Sequence, residues 1–318
     1  MLGLEHRPTT EGERRFHHDL AALWKVYGPA LREKSVLDGG MTWKAVNGAE
    51  YLCRYRQDPV SGKKKFTSLG RRSAETEAVY EDFVARRDAA RSAVAAHRDD
   101  VALLGRLARA YSLANLPSAQ ADVMRLFWRT GLDERVTLFG GSALYAYEGV
   151  LDASPGAIAE DAVLQYVPDC SADTDLASEI LDAVEADGGE RPSAFERRHA
   201  IEMHFRGGVT LELLDRDFLL GRAVGRDEAG VLRDALSLPR IRGLTMARDA
   251  SPVEMRVFDL RTYALAACLL ARDDDCWAER GSFAVAMVVE CWPEKFDAAQ
   301  EELVPEGWLD PYGGSPRL

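Results

Sequence analysis

Apolar positions recur every three or four residues near the start of the chain, which is the spacing of one face of an α-helix. The positions are Phe16, Leu20, Leu23, Trp24, Tyr27 and Leu31. This pattern predicts a helix over residues 11–34. The Asp38-Gly39-Gly40 sequence marks the place where the chain leaves it, because paired glycines interrupt helices.

The pattern then changes to short runs of alternating residues, which are typical of β-strands. The predicted strands cover residues 41–46, 50–56 and 65–69. Together they form a small β-hairpin or meander, and the turn before the last strand carries Lys63, Lys64 and Lys65.

Helical spacing returns after Ser73, whose hydroxyl is a suitable N-cap for the helix that follows. The pattern extends to Tyr111, breaks at Leu116-Pro117 and resumes over residues 118–129. Gly131 is a suitable helix end because glycine adopts the left-handed conformation without strain. The N-terminal part of the chain is therefore predicted to be mainly helical.

A second part begins with an apolar run over residues 136–139, followed by Gly140-Gly141-Ser142 and a helical pattern over residues 142–148. A strand, a glycine turn and a helix can bring backbone N–H groups up to a phosphate. The alternative is a tight turn that serves only to pack the helix on the sheet.

Short strands and helices continue from there to the end of the chain. Further strands are predicted over residues 162–167, 200–205, 209–214, 236–242 and 254–258. Further helices are predicted over residues 175–186, 259–272 and 281–291, and the tail after residue 305 is predicted to be extended.

The composition is that of an ordinary globular protein, with 47% hydrophobic and 29% charged residues in a chain of 318. No apolar run approaches the roughly 20 residues that span a membrane. The five cysteines are too scattered for a disulfide framework or a zinc site. We expect a cytoplasmic protein with no membrane partner, and the sequence leaves the oligomeric state open.

The net charge of −12 is distributed unevenly. Residues 44–72 carry eight basic and two acidic residues, which predicts a local basic patch in an acidic protein. Lys63, Lys64 and Lys65 are candidate contacts to nucleic acid, with neighbouring tyrosines for stacking on bases. The alternative is a scaffold hairpin whose lysines form a solvated turn.

Four stretches of the chain carry a resemblance to a known family. They are GGMTWKAVNGAEYLCR (39–54), SLGRRSAETEAVYEDF (68–83), GSALYAYEGV (141–150) and PVEMRVFDLRTYALAACLL (252–270). Together with the order of strand, glycines, helix and acid-bearing strands, they resemble a bacterial subfamily of nucleotidyltransferase-fold proteins in the polymerase-beta superfamily.

The resemblance implies an α+β fold with a mixed sheet of nucleotidyltransferase type flanked by helices. A mainly helical region with a basic β-hairpin at about residues 41–70 precedes it. The implied divisions are residues 1–130 for the helical region, 131–304 for the nucleotidyltransferase-like domain, and 305–318 for an extended tail.

The resemblance also implies nucleotidyl transfer from an NTP to a hydroxyl acceptor. Gly140, Gly141 and Ser142 would then bind the nucleotide. Asp161 and Glu212 would be the catalytic residues and would bind Mg²⁺ or Mn²⁺, because hard cations prefer oxygen ligands. Such metals align and polarise the attacking and leaving oxygens.

The chain departs from the family's pattern at the second acid of the D-x-D motif, which is Val163 here and cannot bind a metal. A His-Lys pair expected in a later helix falls on Ala266-Ala267. We therefore expect impaired transfer. The alternative is a non-catalytic module on the same fold that binds a nucleotide or nucleic acid, or has a regulatory role.

Overall fold

The computed structural model describes residues 7–57, 63–151, 153–154, 163–169, 174–187, 189–197, 200–205, 208–272, 274–306 and 308–309. The helices in this part of the chain are α1 Glu11–Val36, α2 Ala74–Ala96, α3 Arg98–Ala110, α4 Ser118–Thr130, α5 Thr174–Ala186, α6 Arg216–Leu220, α7 Arg226–Ser237, α8 Leu260–Leu270, α9 Asp275–Cys291 and α10 Ala298–Glu301. The strands are β1 Arg7–Pro8, β2 Gly40–Val46, β3 Ala49–Gln57, β4 Lys64–Arg71, β5 Val136–Phe139, β6 Ala153–Ser154, β7 Val163–Pro168, β8 Ser193–Arg197, β9 Ala200–His204, β10 Thr210–Leu214, β11 Ile241–Met246 and β12 Pro252–Val257. Two 3-10 helices cover Leu132–Glu134 and Gly141–Tyr147.

Seven strands form one large sheet, in the order β11-β12-β5-β7-β10-β9-β8. The β12–β5 and β7–β10 pairs are parallel and the other pairs are antiparallel. Strands β2, β3 and β4 form a separate antiparallel sheet, and β1 pairs with β6. The predicted α+β class, with a mixed sheet and helices, is therefore confirmed.

The local signals in the sequence locate most elements correctly. The Ser73 hydroxyl accepts a hydrogen bond from the Thr76 backbone N–H at 3.3 Å, so α2 begins at the predicted cap. Gly131 ends α4 with a φ of 81°, in the left-handed region. Strands β2, β3 and β4 and helix α1 also lie where the periodicity predicts them, within a few residues at each end.

Three predictions need correction. The strand predicted over residues 236–242 is wrong in its first part, because Leu232 and Leu236 lie on the buried face of α7 and the strand begins only at Ile241. The helical run after Ser73 is divided at His97 into α2 and α3. The segment after Gly140 is a 3-10 helix rather than an α-helix.

The main hydrophobic core lies between the large sheet and its helices. Helix α4 contributes Met124 and Phe127 to this core. A second, smaller cluster joins α1 and α3 to the edge of the sheet through residues that include Phe16, Leu104 and Met246. The N-terminal helices are thus packed against the sheet through apolar contacts.

Helix α8 is almost completely buried, and it packs against α9. Ala266 and Ala267 are 2% and 0% exposed, and a Cβ at Gly281 of α9 would lie 3.3 Å from the Ala267 backbone. Small residues at these positions let the two helices approach closely. No helix in the described ranges is both long and apolar enough to cross a membrane.

A polar cluster centred on Glu254 fastens α1 and α4 to the large sheet. Its carboxylate accepts hydrogen bonds from the indole N–H of Trp24 at 3.1 Å and of Trp128 at 2.9 Å. Arg242 of the neighbouring strand donates to Glu254 at 3.1 Å and to the buried Asp133 at 2.9 Å. Because Trp24 belongs to α1 and Trp128 to α4, one carboxylate holds two helices on β12.

A buried histidine lies near the start of α1. His17 is 8% exposed, and its two ring nitrogens have no hydrogen-bond partner among the described residues. Burial lowers the pKa of His17 to about 4, against the opposing effect of the nearby Glu13 carboxylate. The imidazole is therefore neutral in the folded protein near pH 7.

Substitution of Glu254 should destabilise the protein strongly, because two indole N–H groups lose their acceptor and Arg242 loses one of its acceptors. We expect Glu254→Ala to lower the free energy of unfolding by about 2–3 kcal/mol, given the usual worth of hydrogen bonds to a charged group. Chemical denaturation measures it. Glu81→Ala, at an exposed glutamate of α2, is the control. Equal losses in the two variants would contradict the role given to Glu254.

Because His17 is buried in its neutral form, the free energy of unfolding should decrease as the pH is lowered through a defined range. The folded pKa lies below the unfolded value of 6.5, so the unfolded state takes up the proton first and stability is lost as the pH falls from 6.5 towards 4. The loss attributable to this one group is about 3 kcal/mol across that window. Denaturation of the wild type and His17→Phe at several pH values isolates it. Equal pH profiles for the wild type and His17→Phe would contradict the role given to His17.

Candidate functional site

The glycine turn after β5 lies directly against β7. Gly140 has a φ of 79°, and a Cβ at this position would lie 2.8 Å from the Gln165 side-chain oxygen. The Tyr263 hydroxyl donates to the Gly140 carbonyl oxygen at 3.0 Å. The backbone conformation favours glycine here, and the Gln165 side chain occupies the space that a Cβ would need, so the turn lies close against the sheet.

Ser142 is buried in the segment that follows the turn. Its hydroxyl donates to the Gln120 side-chain oxygen at 2.7 Å, and both residues are buried. This bond connects the 3-10 helix to α4. A contact between the Ser142 hydroxyl and a phosphate would require this bond to be exchanged, and the predicted role of Ser142 stays a prediction.

A buried cation lies next to Gly141. A Cβ at Gly141 would be 3.3 Å from a terminal nitrogen of Arg280. The Arg280 guanidinium carbon is 5.1 Å from the centre of the Trp277 ring, and Arg280 is 6% exposed. The backbone of the glycine turn is therefore packed against the positive charge of α9.

Glu212 lies on β10, beside Gln165 of the parallel strand β7. The Gln165 amide nitrogen donates to the Glu212 carboxylate at 2.9 Å. The Gln165 oxygen is buried and has no hydrogen-bond partner within the described residues. The register thus brings Gly140, Gln165 and Glu212 next to one another, although 72 positions separate the first from the last.

A cavity of about 300 Å³ opens in front of this group. Its lining residues are Gln165, Glu212, Leu214, Phe218, Arg222, Leu270, Asp274 and Trp277. The cavity combines an apolar wall with two carboxylates, one amide and one guanidinium. Small-molecule sites commonly have this combination of a mainly apolar lining and a few polar groups.

The metal ligands that the resemblance implies are only partly described. Asp161 lies outside the described residues, and Glu212 lines the cavity. Val163 begins β7 and is aligned with Thr210 of β10. In the described ranges, no group of three or more His, Cys, Asp or Glu residues is arranged to hold a metal ion. These residues alone therefore do not provide the donors of a two-metal site.

The three predicted nucleic-acid contacts lie elsewhere in the molecule. Lys63, Lys64 and Lys65 are exposed at the start of β4. The Lys64 ammonium lies 4.5 Å from the centre of the Tyr55 ring on β3. None of the cavity's lining residues belongs to the small sheet, so the lysines and the cavity form two separate surfaces.

Sequence reasoning missed Gln165, Asp274, Trp277 and Arg280. Gln165 had a signal, because strand side chains alternate and residue 165 therefore shares a face with residue 163. Asp274 reads as a helix cap, and its carboxylate does accept from the Cys276 backbone N–H. Its position in the cavity depends on how α9 packs, which local sequence does not determine.

Comparison with known proteins gives no relative for this arrangement. No family model, no curated protein and no solved structure matches the chain. The cavity beside the Gly140 turn must therefore be interpreted from its own residues.

Proposed function

We propose that the cavity beside the Gly140 turn binds a nucleotide, and that the chain is a nucleotidyltransferase-fold protein with impaired metal-dependent transfer. The observation that carries this proposal is that Gln165 and Glu212 line one cavity, and that Gly140 lies in close contact with the Gln165 side chain. The glycine turn, the strand that follows it and the strand with the later acid are neighbours, as the resemblance implies. The acceptor of the nucleotidyl group is not identified by these residues.

The charges of the cavity favour a metal-dependent mode of binding. Glu212 and Asp274 would repel a polyphosphate that arrived without a cation. A divalent ion between phosphate and carboxylate oxygens removes this repulsion, because Mg²⁺ is commonly bound by one or two carboxylates together with substrate phosphates. Arg222 also lines the cavity and adds one positive charge to it.

Impairment follows from two side chains on β7. Val163 supplies no oxygen where the family's second acid stands, and Gln165 donates an amide hydrogen to Glu212. An amide N–H that occupies a carboxylate oxygen competes with a metal ion for that oxygen. Both features weaken the affinity for metal, and with it the alignment that transfer needs.

A non-catalytic binding module is the second candidate function, and the Gln165–Glu212 hydrogen bond is the observation that favours it. The bond satisfies the Glu212 carboxylate without any ion. A site of this kind holds its shape when no metal is present. Nucleotide binding without transfer is the expected behaviour in that case.

Titration with ATP and GTP, in the presence and absence of Mg²⁺ or Mn²⁺, tests the proposed site. We expect binding by the wild type to depend on the metal, and Glu212→Gln to weaken the metal-dependent affinity about tenfold or more, by analogy with other metal-site substitutions. Calorimetry measures both. Glu196→Gln, at an exposed glutamate of β8, is the matched control.

The outcomes separate the two functions. Metal-dependent binding that Glu212→Gln removes supports the impaired transferase. Metal-independent binding supports the non-catalytic module. If neither nucleotide binds under any of these conditions, the proposed site is wrong.

Restoring the missing acid should strengthen the metal site. Val163→Asp adds a carboxylate at the second position of the D-x-D motif, so we expect the Mg²⁺-dependent affinity for ATP to rise about tenfold, which corresponds to about 1.4 kcal/mol. Val163→Asn has the same size without the charge and should not produce the gain. Incorporation of labelled nucleotide into an acceptor reports whether transfer returns. If the two variants bind ATP with equal Mg²⁺-dependent affinity, the missing carboxylate at position 163 is not the cause of impairment.

A further inference from the structure

The three-stranded sheet of β2, β3 and β4 has one covered face. Leu52 is fully buried on that face, beside its partner Trp43 on the next strand. The Trp43 ring lies 6.1 Å from the Tyr80 ring, and the Arg54 guanidinium lies 4.8 Å from the centre of the Phe83 ring. Tyr80 and Phe83 both belong to α2, so this helix covers the face.

The opposite face carries aromatic rings and lysines that contact one another. The Tyr55 and Phe66 rings are 5.6 Å apart on neighbouring strands. The Lys44 ammonium lies 3.0 Å from the centre of the Phe66 ring, and the Lys64 ammonium lies 4.5 Å from that of Tyr55. These mutual contacts show that the four side chains share one face, which we call the open face.

The open face remains accessible in the folded chain. Phe66 is 42% exposed, and every residue of β4 except Gly70 is exposed. A large aromatic ring at such exposure in the middle of a strand is not needed for the core. It is available to a ligand that stacks.

The small sheet is also strongly basic. Its three strands contain six Lys and Arg residues and one acid, Glu50, although the whole chain has a net charge of −12. The Glu50 carboxylate accepts a hydrogen bond from Arg72 at 2.6 Å, so its negative charge is paired. The sheet therefore complements a polyanion, in contrast to the cavity with its two carboxylates.

We propose that the open face binds single-stranded nucleic acid. Phosphates of the strand pair with Lys44 and Lys64, and bases stack on Phe66 and Tyr55. Every base has a π-face, so this mode is tolerant of sequence. An exposed sheet face with aromatic rings and basic side chains provides the two interactions that such binding uses, a charged track and a stacking platform.

The lysines would move from the rings to the phosphates when the strand binds. An exposed cation–π contact is weak compared with the stacking of a base on an aromatic ring, so the exchange is favourable. The lysines would also gain charge pairing and release counterions from the nucleic acid. The rings and the ammonium groups thus cover each other in the free protein and separate in the complex.

The arrangement fits a nucleic acid better than an added peptide strand. A strand that joins the edge of the sheet uses backbone N–H and C=O groups of β4 and makes no use of the rings on the open face. Lysines on an edge strand, such as Lys64 and Lys65, also oppose pairing with another strand. A polyanion with flat bases accounts for the basic charge and the exposed rings together.

Fluorescence anisotropy with a labelled oligothymidylate tests the open face. We suggest the full chain, a single strand of about 15 nucleotides, the matching duplex, and salt between about 50 and 200 mM. The single strand should bind more tightly than the duplex. Its affinity should fall as salt rises, because cations are released from the phosphates.

Two sets of variants separate charge from stacking. Lys44→Gln combined with Lys64→Gln should weaken binding at low salt and make the slope of log affinity against log salt shallower by about 1.4. Phe66→Ala should weaken binding about 5- to 150-fold and leave that slope unchanged. Thermal unfolding verifies that each variant is folded.

Matched controls lie away from the open face. Lys25→Gln removes an exposed lysine of α1, and Phe195→Ala removes a phenylalanine of β8 that is 49% exposed. Both should bind the single strand as the wild type does. Equal losses in the controls, preference for the duplex, or no binding of the single strand at low salt would each overturn the proposal.

The open face does not depend on the proposed nucleotide site. Its residues belong to the small sheet, and the cavity around Glu212 is lined by residues of other elements. The two sites also differ in the sign of their charge. Loss of ATP binding would leave the oligonucleotide result unaffected, so the failure of either proposal can be recognised on its own.

Discussion

The Glu254 carboxylate receives the indole N–H groups of two different helices, and the position of the N-terminal region depends on this contact. Trp24 fixes α1 to β12, and Trp128 fixes α4 to the same strand. Helix α1 in turn holds α2, through an Arg86–Glu33 hydrogen bond of 2.8 Å among other contacts, and α2 covers the inner face of the small sheet. A buried or half-buried acceptor that serves several donors is costly to lose, because each donor is left without water or partner. The N-terminal helices, and through α2 the small sheet, are thus held on the large sheet by this carboxylate together with the apolar cluster that includes Phe16, Leu104 and Met246.

Two surfaces of opposite charge result from this arrangement. The cavity next to the Gly140 turn contains Glu212 and Asp274, and the open face of the small sheet contains Lys44 and Lys64. An acidic cavity attracts cations and, through them, phosphates, whereas a basic sheet attracts phosphates directly. The proposals for the two surfaces are therefore distinguished by their response to metal ions and to salt. The two proposals are also compatible, because a nucleotide and a nucleic-acid strand are different ligands that both carry phosphates.

The glycine turn and Glu212 are the parts of the candidate site that the sequence predicted, and the most informative contact of the site could not be predicted. The paired glycines indicate the Gly140-Gly141 turn, strand periodicity puts Glu212 on a later strand, and the family resemblance is what singled out Glu212. Periodicity also places Gln165 on the same face as Val163, but nothing local indicates that its amide donates to Glu212. That contact requires β7 and β10 to be parallel neighbours in a fixed register, and the register is set by the packing of the entire sheet. The buried Arg280 beside Gly141 was missed for the same reason, because it comes from a helix 139 positions later.

The sequence by itself determined the short-range features of this protein. Spacing of apolar residues defined α1 and the small strands, the Ser73 hydroxyl began α2, and Gly131 ended α4, since each of these depends only on residues within a turn or two. The tertiary structure alone decided the strand order, which face of the small sheet is covered by α2, and which side chains line the cavity. These depend on contacts between residues far apart in the chain, whose free energies come from burial and register rather than from local preference. For that reason α7 replaced part of a predicted strand, where Leu232 and Leu236 are buried on one helical face.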